Sequence, residues 1–166
     1  MAPIIVPGAV STYDWLLFLH ITGAFLLVGG AVVAIVLDIA AQGRERPSEI
    51  ALLLGLIRIP VVGIVIGSIL LLVFGLWLVD ERGYSYGEAW IVGAIVLLVG
   101  GNVVGAIGGR RDDATRQLAE ELAAKGDAPS VALKERLRDP ISLILSYFGG
   151  AAVIAALVLM VWKPGA

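Results

Sequence analysis

Ala89–Gly109, AWIVGAIVLLVGGNVVGAIGG, runs for 21 residues without Asp, Glu, Lys or Arg, and Arg110-Arg111 follow at once. About 20 apolar residues in a helix cross a hydrocarbon core of ~30 Å. A lipid-facing strand would alternate polar and apolar positions, and this stretch does not. Lipid also offers no partner to an unpaired backbone group, so an isolated crossing segment must be helical.

Three more stretches read the same way. Ile59–Val79 and Pro140–Trp162 carry no charged residue, and Trp15–Leu37 is uncharged apart from His20. The expected fold class is therefore all-α: a polytopic membrane protein with a four-transmembrane-helix up-down bundle. We read residues 1–166 as a single integral membrane domain. Spans are expected at about 14–37, 59–79, 89–109 and 140–162, with a short cytoplasmic helical loop over about 110–139. Composition agrees. The chain of 166 residues is 59% hydrophobic and 16% charged, whereas a soluble domain is about a quarter charged. That excludes a soluble enzyme and a disordered regulator. The net charge of −2 supplies no basic field for nucleic acid. Without cysteine there is no disulfide, thiolate metal site or thiol nucleophile. With one histidine, no single-chain site has two His ligands.

Orientation follows from the basic residues. Ten (Arg44, Arg46, Arg58, Arg110, Arg111, Arg116, Lys125, Lys134, Arg136, Arg138) fall on one side of the spans, and Arg82 and Lys163 on the other. The positive-inside rule makes the first side cytoplasmic and places both termini outside. Met1–Trp15 lacks the basic start of a signal peptide, so the first span reads as an uncleaved anchor. Trp15, Trp77, Trp90 and Trp162 all lie at the outer ends of their spans, with Tyr13, Tyr84 and Tyr86. Indole and phenol rings favour that interface.

The loops set further expectations. Asp80–Glu88 is short, which makes spans two and three antiparallel neighbours. Arg111–Lys125 reads as a helix of its own, stopped by Gly126, and Val131–Arg138 as a second with Ser130 at its N-cap. Pro60 should kink a helix that begins near Pro47. Asp14 should cap the first helix. Small residues punctuate the spans, as in Gly63-x-x-x-Gly67 and Gly101-x-x-x-Gly105-x-x-x-Gly109. Such faces bring helices together in lipid, within the bundle or in a homodimer.

Polar residues inside the spans are few. His20 sits seven residues below the outer end of span one, on the face of Gly23, Leu27, Gly30, Ala34 and Asp38. An intramembrane ionisable group is a functional candidate. Three readings stay open for it: a neutral imidazole bonded to a backbone carbonyl or another helix, a haem axial ligand, or a proton-relay or solute site. Asn102 lies level with Ser68, Ser146 and Tyr147 and reads as interhelical glue. Arg58 reads as an interface anchor with Asp38 as its partner. No metal site, Walker loop, HExxH, GxSxG or intramembrane carboxylate pair is present.

Tyr13–Asp38, YDWLLFLHITGAFLLVGGAVVAIVLD, the Gly-Leu-Trp-Leu at Gly75–Leu78 and the third span running into Arg110-Arg111 resemble a bacterial domain-of-unknown-function family of predicted integral membrane proteins. That family is distantly similar to CopD-type and HemJ-type membrane proteins. The resemblance implies a haem role for His20 alone. The lysine that HemJ-type proteins carry inside a span has no counterpart in these spans. The function expected is a non-enzymatic scaffold or accessory subunit whose partners are the lipid bilayer and a cytoplasmic or membrane protein. The alternatives are a haem-binding redox or haem-handling protein using His20, and a small-solute or proton pathway.

Overall fold

The computed structural model describes residues 11–164 and all of their side chains except those at 142, 143 and 145–147. Every element among them is a helix: α1 (Thr12–Gln42), α2 (Pro47–Leu56), α3 (Arg58–Glu81), α4 (Ala89–Ala124), α5 (Val131–Leu137) and α6 (Pro140–Trp162). α1, the unit Pro47–Glu81 and α4 are each long and apolar enough to cross a membrane. α6 adds a fourth, with a shorter described apolar stretch at Phe148–Trp162. Phe18, Phe25, Val36, Ile59 and Ile154 point outward. In lipid such exposure carries no penalty.

The first helix starts at a reciprocal cap. Ser11 is the N-cap residue, its Oγ accepting from Asp14 N at 3.2 Å while Asp14 Oδ2 accepts from Ser11 N at 3.0 Å. Asp14 thus acts from inside the first turn, and two otherwise orphaned donors are satisfied. The Pro60 break falls at Ile57, between α2 and α3. Proline has no N–H for the carbonyl four residues earlier, at Leu56, and its ring crowds that carbonyl.

α4 corrects one expectation. Arg111–Lys125 is not a separate helix but the continuation of the third span, in one rod of 36 residues. At 1.5 Å per residue this is ~54 Å, so its last turns project beyond a ~30 Å core. No proline interrupts the crossover, and the projecting half supports itself. Thr115 Oγ1 bonds back to the Arg111 carbonyl at 2.9 Å, and Arg116 pairs with Asp113 and Glu120. Gly126 and Asp127, at φ 123° and 57°, then reverse the chain. At α5, Ser130 holds the N-cap position without a side-chain bond.

Packing corrects a second expectation. Spans two and three (α3 and α4) are not packed neighbours despite their short loop; they touch only sparsely. The extensive interfaces are α1 with α3 and α4 with α6. Glycine decides the first pair. A Cβ built on Gly67 would lie 2.6 Å from the Gly23 carbonyl and 2.7 Å from Leu27 N. One on Gly30 would lie 2.8 Å from the Pro60 carbonyl. Gly63 is looser, its virtual Cβ 3.8 Å from the Leu26 carbonyl. The tight face is therefore Gly23 and Gly30 against Gly67 and Pro60, not the two glycines of one helix. Gly100, Gly105, Gly108 and Gly109 on α4 meet nothing within 4 Å.

Two apolar clusters fasten the ends. At the arginine end, Ala41, Ile50, Leu54, Ile57, Ala119, Leu133 and Leu137 unite α1, α2, α4 and α5. At the tryptophan end, Val79, Trp90 and Ile91 are buried together, with Tyr84 and Met160 against them. Asp127 also clamps the arginine end, accepting from Ser48 N and Ser48 Oγ, each at 2.7 Å. These bonds to the ionised form, helped by Arg46, hold its carboxyl below the ordinary 3.8.

Two outcomes follow. Gly67→Val should cost about 1–3 kcal/mol or more by overpacking, seen as a lower Tm in detergent, while Gly100→Ala on the open face leaves Tm nearly unchanged. Asp127→Ala should lower Tm at neutral pH. A depressed folded pKa means the Asp127 contribution is complete above 3.8 and lost as pH falls through the lower folded value. The Tm gap between variant and wild type should therefore close only in acid, as read by thermal melts across that range.

Candidate functional site

The sparse contact between α3 and α4 leaves a groove. The two helix pairs are joined at both ends and stand apart between them, around a cavity of about 1200 Å³. Its wall is mostly aliphatic and comes from α1, α3, α4 and α6. Gly101, Gly105, Gly149 and Gly150 line it, which widens it where side chains would otherwise fill it.

His20 is on this wall, on the face of α1 that packs against α3. Its ring lies in a notch made by Gly75, whose virtual Cβ would sit 3.0 Å from Cε1 and 3.2 Å from Nδ1. The Leu71 carbonyl, one turn earlier on α3, approaches the ring. Nδ1 nevertheless closes no well-formed hydrogen bond and is buried. Nδ1 is therefore turned towards α3 at Gly75. A haem would find one imidazole here. His20, the single histidine, would be the residue to hold it.

Asn102 links α4 to α3 within the membrane-spanning part of the bundle. Ser68 Oγ lies 3.1 Å from Asn102 Oδ1 and 2.8 Å from the Ile64 carbonyl, so one hydroxyl proton is shared. Asn102 Nδ2 donates to the Leu98 carbonyl at 2.7 Å. Tyr147 and Ser146, read as level with it, lie outside the described side chains.

At the arginine end the expected Asp38–Arg58 pair does not form. Arg58 Nη2 pairs with Asp113 on α4 at 3.2 Å, and Asp38 accepts from Gln42 Nε2 at 3.0 Å. Asp38 has a partner one turn along its own helix, and the projecting α4 brings Asp113 to Arg58. Arg111 pairs with Asp139, the N-cap of α6. Such exposed pairs fix position more than stability.

At the tryptophan end Arg82 and Lys163 reach the groove rim. The Arg82 guanidinium lies 4.2 Å over the Tyr13 ring, and Lys163 Nζ 5.0 Å over Tyr84 and 5.4 Å over Trp90. Sequence reasoning used these cations only for orientation. Being the two basic residues of their side was the signal that could have marked them. Asp113 carried no such mark among the many acids of its segment.

A helical chain with outward aliphatic faces and polar groups gathered at two ends is an integral membrane protein in contact with the bilayer. It belongs to the family described as predicted integral membrane protein (DUF2269), whose profile matches residues 14–164. Neither a curated protein nor a solved structure matches the chain.

Proposed function

We propose that this protein is an accessory membrane subunit without catalysis of its own, and that the groove between its helix pairs holds an apolar guest from the lipid phase. One observation carries the reading: about 1200 Å³ of mostly aliphatic cavity persists between helices that are fastened at both ends. Protein interiors are otherwise close-packed. Wall atoms without neighbours lose their dispersion contacts, which a guest restores. The cavity also exceeds the ~300–1,000 Å³ of ordinary ligand pockets. The projecting end of α4 with α2 and α5 forms a platform outside the hydrocarbon, where a partner protein would be met.

The charge asymmetry supports an orientation with this platform in the bacterial cytoplasm and both termini outside. Reporter fusions at Gly126 and after Ala166 should then lie on opposite sides of the membrane. The same side for both would refute the four-span topology.

Native mass spectrometry of protein released from lipid nanodiscs tests the guest. The wild type should retain a lipid-sized adduct. Gly105→Phe, placed where nothing lies within 4 Å, should fill the groove and lose it without unfolding. Equal adducts in both would remove the groove from the account, and a dimer mass in place of an adduct would make a second copy the occupant. An absorption scan of the same sample decides the haem case, since a Soret band lost in His20→Ala would identify haem held through His20.

A further inference from the structure

The groove rim differs in charge at its two ends. At the arginine end the two groove-wall cations, Arg58 and Arg110, share the rim with the carboxylates of Asp112 and Asp113, and Arg58 pairs with Asp113 at 3.2 Å. At the tryptophan end, Arg82 and Lys163 have no carboxylate within 4 Å among the described residues. The acids of the neighbouring loop do not serve them. Glu88 accepts from Trp90 Nε1 and from Ser85 N, and Asp80 and Glu81 are not on the groove wall.

Both cations rest on aromatic faces instead. Such a face holds a charge by its quadrupole and leaves most N–H donors free. Lys163 Nζ adds a contact of 3.4 Å to Tyr84 Oη. Lys163 has φ 42° and ψ 59°, a left-handed conformation that is strained for lysine, while its N–H still bonds the Leu159 carbonyl at 2.9 Å. Trp15, Trp77 and Trp162 stand exposed at the same end. Indoles mark the headgroup level of a bilayer. Two donor-rich cations at that level, above an aliphatic groove, are complementary to a phosphate carrying acyl chains.

Building on the groove reading, we infer that the guest is an anionic phospholipid whose headgroup is held by Arg82 and Lys163 and whose acyl chains lie down the groove. Phosphate oxygens accept from the guanidinium and the ammonium, and the chains cover the wall between the helix pairs.

The test uses nanodiscs containing phosphatidylglycerol and phosphatidylcholine in equal parts, with retained lipid identified by native mass spectrometry. The wild type should retain phosphatidylglycerol several-fold over phosphatidylcholine. Arg82→Gln with Lys163→Gln should retain both lipids without preference. Arg82→Lys with Lys163→Arg should keep the preference, which separates charge from fold. Equal retention by the wild type, or a preference that persists in the glutamine variant, overturns the headgroup assignment and leaves the groove reading standing. No retained lipid of either kind, or retention unaffected by Gly105→Phe, removes the groove reading and this inference with it.

Discussion

α1 and α3 meet backbone to backbone at Gly23 and Gly67, where a single added carbon would lie 2.6 Å from a carbonyl oxygen. In lipid no hydrophobic force pulls helices together, so dispersion between close backbones must do it. The same face continues at Gly30 against Pro60 and at Gly75 against His20. α3 commits this face to α1 and touches α4, its successor in the chain, only sparsely. The groove is a consequence of that choice, not of a missing residue.

The ends of the molecule are held by different physics. At the arginine end, α2, α5 and the last turns of α4 bury Ile50 and Leu133 almost completely. Where such a cluster meets water, burial contributes about 1.5–3 kcal/mol for each large aliphatic side chain. Asp127 and the ion pairs of Arg58 and Arg111 fix its register. At the tryptophan end, Trp90 is buried against Val79 and Tyr84 while the other three indoles face outward. Fastened at both ends, the helix pairs can stay apart between them.

The groove collects residues that the chain scatters. His20, Asn102, Arg82 and Lys163 come from α1, α4 and the segments that end α3 and α6. His20 was legible as a candidate because an ionisable group inside an apolar span stands out. The orientation of its ring was not, because it depends on the missing side chain of Gly75 on another helix. Asn102 and Ser68 were legible as a level pair from depth alone. The Arg58–Asp113 pair was not, because it depends on α4 continuing straight past Gly109.

The sequence alone decided that this chain is helical and lives in a membrane. Charge-free stretches of 21 to 23 residues admit no other satisfied backbone in lipid. It also decided the sorting of tryptophan and arginine to opposite ends, since partitioning between interface and water acts residue by residue. Only the tertiary structure decided which helices pair, that the third span and its polar continuation form one rod, and that a groove separates the two pairs. Those outcomes depend on distances of tenths of an ångström between backbones far apart in the chain, and glycine spacing alone does not say which partner a small-residue face will take.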